Sequence, residues 1–200
     1  MKFPVKVPFN YDQHRERRCI VDYIRKNNLS VPTVYVDIGA SDGVCNSNSR
    51  YFLHQGWTGY LFEPCPVNYE LLWNNSNPNS LDVITYQVAV GDRNGTVKFE
   101  SRGGLSKVTN KGEIEVPIIM VKEMFGKKYA VSKRIGILDV DTEGGEEGIL
   151  LQFMKLEIYP HFIIVEHQCH EPKIKEQARI LSPRYKRIAR KGVNDIWHLK

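Results

Sequence analysis

Val34-Tyr-Val-Asp-Ile-Gly-Ala-Ser-Asp-Gly43, with Tyr60-Leu-Phe-Glu-Pro64 downstream, decides the fold of this chain. The first stretch is a β-branched apolar run that ends in Asp37 and breaks into a turn carrying Gly39 and Gly43. The second is a shorter apolar run closed by Glu63. Parallel α/β proteins bind nucleosides with this arrangement. The first strand delivers a glycine-permissive loop under the ligand, and the acid ending the second accepts hydrogen bonds from a ribose diol. Glycine spacing then separates ligand classes. A dinucleotide site needs G-x-G-x-x-G so that a pyrophosphate rests on a helix N-terminus. Gly39-Ala-Ser-Asp-Gly43 lacks that spacing, and Asp42 would repel a pyrophosphate. The expected ligand therefore has a ribose and an adenine but no phosphate.

Working outward, Tyr11 to Asn27 sets Cys19, Ile20, Tyr23 and Ile24 at helical spacing, so an amphipathic helix precedes the first strand. Asn28 and the Ser30-Val-Pro32 turn end it. Strands and helices alternate from there. Val34–Ile38, Gly59–Phe62 and Asp82–Val90 read as strands, and Asn48–His54 and Pro66–Trp73 as the helices between them. Gly91-Asp-Arg-Asn-Gly95 breaks the rhythm, and Thr96–Glu100 with Glu113–Ile118 reads as an inserted β-hairpin. Between its arms, Arg102-Gly-Gly-Leu-Ser106 is expected as a loop near a substrate. The rhythm resumes with strands Ile135–Val140 and His161–Val165 and helices Glu146–Leu156 and Glu171–Leu181. Tyr185–Ala189 and Val193–Leu199 form a closing pair. Strands joined by helices of this length make a parallel sheet with right-handed crossovers, and a final hairpin enters it antiparallel.

The 200 residues suit one domain, with a helical extension over 1–30 and a core over 33–199. Charged residues at 26% and aromatics at 10% are globular values. The net charge of +5 is concentrated locally, at Arg15, Arg17 and Arg18 and again over Arg184–Lys191. Such patches suit an anionic or extended substrate. Cys19, Cys45, Cys65 and Cys169 have neither C-x-x-C nor disulfide-rich spacing, which predicts a reducing, cytoplasmic setting. No apolar run is long enough to span a membrane, and the first residues lack a signal-like apolar segment. Oligomeric state is left open.

Ligands in open α/β sheets bind at the carboxyl ends of the strands. Those ends are Asp37 to Gly43, Glu63-Pro64, Ala89 to Asp92, Asp139-Val-Asp-Thr-Glu-Gly144 and Val165-Glu-His-Gln168. Taken in order, Val-Asp-Ile-Gly-Ala-Ser-Asp-Gly43, Glu63-Pro64, Leu138-Asp-Val-Asp-Thr-Glu-Gly-Gly-Glu146 and Ile164-Val-Glu-His167 resemble the successive motifs of FkbM-type methyltransferases. The closing Asn194-Asp-Ile-Trp197 is similar to the family's usual ending. The resemblance runs over residues 33–199. It implies a Rossmann-like class I methyltransferase fold, a mostly parallel seven-stranded sheet with one antiparallel strand. It also implies transfer of a methyl group from S-adenosylmethionine to oxygen, often on sugars. That cofactor meets the demand of the first loop for a nucleoside without phosphate. One departure is Asp139, where many members carry Lys.

Roles follow from these positions. Glu63 is expected on the ribose hydroxyls, with Pro64 beside it. Gly39 and Gly43 let the backbone approach the cofactor. Asp37 orients the methionine amine, Ser41 and Asn48 are candidates for its carboxylate, and Ala89 and Val90 for lining the adenine. Methyl transfer needs the acceptor oxygen in line with the sulfonium and a base for the hydroxyl proton. His167 and Asp141 are the candidate bases, and Glu143 either bonds the acceptor or shapes the turn. The rival is a divalent cation such as Mg²⁺ on Asp139, Asp141, Glu166 and His167. The acceptor expected is a sugar, nucleotide sugar or glycan. A nucleic-acid base is disfavoured because Asp141-Thr-Glu-Gly144 stands where amino methyltransferases carry Asn/Asp-Pro-Pro-aromatic. The missing dinucleotide fingerprint argues against an oxidoreductase, and cofactor binding without turnover defines the non-catalytic alternative.

Overall fold

The computed structural model describes residues 14–76, 82–100, 107–109 and 111–200. Residues before 14, and the Arg102 to Ser106 loop, lie outside them. A seven-stranded sheet is built from β1 (Val34–Ile38), β2 (Thr58–Phe62), β3 (Val83–Tyr86), β8 (Ile137–Val140), β9 (Phe162–Glu166), β10 (Tyr185–Lys191) and β11 (Asn194–Leu199). Its order is β10-β11-β9-β8-β1-β2-β3. Every pairing from β3 across to β9 is parallel, whereas β11 runs antiparallel to both β9 and β10. The architecture is thus the expected one, with β11 as the reversed strand.

Period-two alternation divides the sheet into two faces. Val36, Ile38, Leu138, Val140, Ile163 and Val165 point to a layer containing α4 (Val121–Met124), α5 (Glu146–Lys155) and α6 (Glu171–Leu181). Tyr35, Ile137, Phe162, Ile164 and Ile196 point the other way, onto Ile20, Val21 and Ile24 of α1 (Glu16–Lys26) and Phe52 of α2 (Ser49–His54). The central strands are buried on both faces, which explains their unbroken apolar sequence. By the same alternation Asp37, Asp139 and Glu166 fall on the α1–α2 side, each at the carboxyl end of its strand.

The run Asp82–Val90 is two elements rather than one strand. It ends in the main sheet at Tyr86, turns where the Val88 N–H bonds the Tyr86 carbonyl at 3.1 Å, and restarts as β4 (Ala89–Gly91) in a second sheet. That sheet has the order β4-β7-β5-β6, with β5 (Gly95–Glu100), β6 (Lys107–Val108) and β7 (Ile114–Met120). The antiparallel β5–β7 pair is the expected hairpin, and parallel β4–β7 pairing enlarges it. Val97, Phe99, Val116, Ile118 and Ala89 form its small apolar core. The third helix, α3 (Pro66–Ser76), follows β2. Among the described residues, no helix is long and apolar enough to cross a membrane. The four cysteines are free.

Candidate functional site

A cavity of about 530 Å³ opens at the carboxyl ends of β1, β2, β8 and β9. Its floor is the turn after β1. Gly39 and Ala40 donate to the Phe62 carbonyl at 2.9 and 3.1 Å, bending the turn over the end of β2. Gly39 has φ +96°, and a Cβ there would lie 1.7 Å from the Asp141 carbonyl oxygen. Its missing side chain lets two strand ends meet. Gly43 has φ +71° and is packed on α3, where a Cβ would meet Leu72 Cδ1 at 2.5 Å. It therefore shapes the turn from behind and does not line the cavity. Asp42 Oδ1 accepts the Val44 and Cys45 N–H groups, both at 2.8 Å, so part of its charge is spent holding the turn.

Glu63 stands on the cavity wall and is 4% exposed. Its two oxygens accept from the Ser41 N–H at 2.9 Å and the Cys65 N–H at 2.7 Å. Two of about four acceptor positions on a carboxylate are thereby used. The rest face the cavity with their direction fixed by backbone. Burial pushes the carboxyl up to about 7, against the lowering effect of those two donors.

Asp37 and Asp139 are register partners on adjacent strands, both buried and both lining the cavity. Burial raises Asp37 to about 6, opposed by a hydrogen bond from Ser49. Asp139 is raised well above the usual carboxylate range by burial and by Asp37, although Asn48 and Tyr35 bond it. Its Oδ2 accepts from the Tyr35 hydroxyl and from Asn48 Nδ2, each at 3.0 Å. That bond fixes the Asn48 amide and leaves its buried Oδ1 without a partner among the described residues. Asn48 makes no side-chain cap on α2. This corner of the cavity is rich in acceptors. It suits an ammonium group, and Asn48 is not oriented to hold a carboxylate there.

The third wall follows β8. Asp141, Glu143 and Glu166 each place a carboxylate oxygen within 4.8 Å of the others. Asp141 is open to the cavity, yet burial and the negative charges of Glu166, Asp139, Glu143 and Glu146 push it up to about 9. Glu166 is 8% exposed, is pushed up to about 7 by burial and by Glu143 and Glu146, and has an unpartnered Oε2. The intervening turn places Glu143 at φ +58° and Gly144 at φ +137°. It is held by a residue whose role the sequence did not reveal. Glu146 Oε1 accepts the Thr142 N–H at 3.1 Å, the Thr142 hydroxyl at 3.0 Å and the Gly144 N–H at 2.9 Å. Glu146 Oε2 meets Lys173 Nζ at 3.0 Å. Burial raises this carboxyl, but the bonds from backbone and Lys173 outweigh it and hold the group ionised.

His167 is not brought to the cavity. It is 1% exposed, its Nδ1 accepts the Cys169 N–H at 3.0 Å, and its Nε2 faces Asp195 Oδ1 at 3.8 Å. Burial lowers its pKa, against the raising effect of Asp195. The cause is alternation. Glu166 points to the α1–α2 side, so the next residue points to the α5–α6 side. Asp195 is occupied by Arg190 at 2.8 Å and Arg187 at 3.1 Å. As base or as metal ligand, His167 has no path to a ligand in this cavity. Asp139 likewise falls outside the carboxylate cluster, which contains Glu143 in its place.

The sequence profile of the methyltransferase FkbM domain matches residues 37–183. The chain belongs to the FkbM methyltransferase family. Among solved structures it is similar to an FkbM methyltransferase from Methylobacillus flagellatus KT, with TM-score 0.58 and 16% identity over 89% of this chain. It spans 46% of that chain, so it corresponds to about half of it. A precorrin-6y C5,15-methyltransferase from Geobacter metallireducens GS-15 aligns over 100% of this chain and 94% of its own, with TM-score 0.53 and 12% identity. Monomeric WbdD aligns over 94% of this chain and 41% of its own, with TM-score 0.54 and 10% identity. At these identities the likeness establishes the fold. No curated protein matches the chain significantly.

In this FkbM domain the structure gathers Asp37, Gly39, Ser41, Asn48, Glu63, Pro64, Ala89, Val90, Asp139, Asp141, Glu143 and Glu166 around one cavity. Ala89 and Val90 reach it from the second sheet. Phe99 and Val108 come from that sheet too, with Leu71 from α3, and the sequence singled out none of these three; Asn194 from β11, the first residue of the closing motif, also lines the cavity. Phe99 carried a signal, since Val97 and Phe99 alternate with the polar Thr96 and Lys98.

Proposed function

We propose that this chain binds S-adenosylmethionine at the β1–β2 end of the cavity and directs its methyl group to a hydroxyl of a sugar or glycan. The observation that carries this reading is the juxtaposition of two unlike polar regions in one cavity. Glu63, pinned by two backbone donors, offers acceptor positions for a diol. Across the floor, Asp141, Glu143 and Glu166 form a carboxylate wall suited to bonding hydroxyls.

The residues present fit the cofactor. A cavity of about 530 Å³ lies within the range of small-ligand sites. The unpartnered Asn48 Oδ1 beside Asp37 supplies acceptors for the ammonium of a methionine moiety. Val88, Ala89 and Val90 give an apolar wall for a base. When bound, the cofactor supplies an already activated methyl group. Glu63 would hold the ribose hydroxyls, and Asp37 with Asn48 the ammonium. The protein's remaining task is to seat the acceptor oxygen in line, at ~3 Å from the methyl carbon. Asp141, open to the cavity, is placed to take the hydroxyl proton when ionised, a fraction that grows as pH rises toward about 9. Carboxylates are apt partners for sugars because each accepts from two hydroxyls at once.

Release of S-adenosylhomocysteine across a panel of mono- and oligosaccharides tests the reading. Turnover on a sugar hydroxyl is expected. Tight cofactor binding without turnover on any sugar would overturn the acceptor assignment, and absence of cofactor binding would overturn the reading entirely.

A further inference from the structure

We propose that Asp141, Glu143 and Glu166 form a binding site for a hard divalent cation at the acceptor side of the cavity. The inference rests on the reading of this cavity as a methyl-transfer site, and it names the group that would organise the acceptor. Three carboxylates each offer one oxygen, and the three lie within 4.8 Å of one another. Oxygen-only donors select magnesium, manganese or calcium over zinc or copper.

Clustered acids are common without a metal, so the decisive feature is Glu166. The residue is 8% exposed and lines the cavity, and its Oε2 has no hydrogen-bond partner among the described residues. A buried carboxylate oxygen left unpaired is costly unless a proton, a hydrogen-bond donor or a cation meets it. The nearby protein cation does not supply that partner. Lys173 Nζ is directed to Glu146 Oε2 at 3.0 Å and to Gln168 Oε1 at 3.4 Å. Glu146 is itself engaged by the turn. The turn also presents Glu143 at φ +58°, a conformation few non-glycine residues adopt. Glu143 Oε2 accepts from Gln168 Nε2, so the carboxylate is oriented from behind.

A cation held by three protein oxygens keeps positions for water or substrate oxygens. Vicinal hydroxyls of a sugar would occupy them, and the metal would lower the pKa of the attacking hydroxyl.

The test is titration of the metal-free protein with Mn²⁺, read by electron paramagnetic resonance, with Ca²⁺ and Mg²⁺ as competitors. One saturable site is expected, displaced by either competitor. Glu166→Gln should weaken Mn²⁺ binding at least 10-fold while binding S-adenosylhomocysteine as wild type does. Asp141→Asn provides a second variant with the same expectation. Absence of saturable Mn²⁺ binding, or Glu166→Gln binding Mn²⁺ as tightly as wild type, would overturn the site. S-adenosylhomocysteine calorimetry in EDTA separates the two failures. Cofactor bound without Mn²⁺ sinks only the cation, whereas no cofactor binding sinks the methyl-transfer reading beneath it.

Discussion

Asp37 and Asp139 lie side by side on parallel strands, both buried, with one oxygen of Asp139 accepting from Tyr35 and Asn48. Two buried carboxylates this close do not both ionise readily. Asp139, raised further by Asp37, is the more readily protonated of the two. Asp37 is left to carry the charge that meets a cationic ligand. Asp139→Asn should therefore leave S-adenosylhomocysteine affinity within about threefold of wild type. Asp37→Asn should weaken it roughly 10-fold or more, the loss of one charge-assisted hydrogen bond. Equal losses from both in calorimetry would contradict this division of labour.

Glu63→Ala removes an acceptor whose orientation is fixed by the Ser41 and Cys65 amides. It should cost ~1.5–3 kcal/mol in S-adenosylhomocysteine affinity, roughly a 10- to 100-fold change. Unchanged affinity by calorimetry would show that the ribose lies elsewhere.

The acids of the cavity make stability depend on pH in a definite direction. In the folded chain Asp141 is pushed up to about 9 by burial and by the charges of Glu166, Asp139, Glu143 and Glu146. A carboxyl raised by folding is protonated in the native state while the unfolded chain has already released its proton. Stability is then lost as pH rises from about 4 to about 9. Glu63 and Glu166, each at about 7, act in the same direction up to neutrality. Thermal unfolding without added metal should give a lower Tm at pH 8 than at pH 5.5. Asp141→Asn should raise the Tm at pH 8 and flatten the slope. A steeper slope in that variant would refute the assignment.

Gly39→Ala places a Cβ 1.7 Å from the Asp141 carbonyl at a φ of +96°. The ends of β1 and β8 must separate to admit it. The variant should lose more than ~2 kcal/mol of stability, since strain and overpacking add. Denaturant unfolding checks this, and a variant as stable as wild type would mean that the strand ends are loosely coupled.

Behind the cavity, Asp195 is fully buried and depends on Arg187 and Arg190. Burial raises its carboxyl, but the two guanidinium groups more than offset this and keep it ionised. Replacing both arginines with alanine should cost roughly 3–5 kcal/mol by leaving a buried charge unpaired. His167→Gln, next to the same group, should lower Tm but keep the shape of the pH–rate profile. A lost inflection near neutrality in that variant would restore His167 as the base.

Periodicity determined the alternation of elements, the length of the connecting helices determined the parallel sheet, and the short closing hairpin determined its reversed last strand. Each is a local property of the chain. Period two also carried information left unused. If Glu166 faces the cavity, His167 next to it must face away. What only the tertiary structure decided are the pairings between distant segments. The run Asp82–Val90 has one loose alternation, yet it serves two sheets because β2 claims Tyr86 and β7 claims Ala89. Glu143, rather than Asp139, joins Asp141 and Glu166 because Tyr35 and Asn48 claim Asp139 while the Glu146-anchored turn presents Glu143. Sequence fixes what each acid is and which edge it reaches. Which of them meet depends on hydrogen bonds between residues far apart in the chain, and only the folded chain forms those bonds.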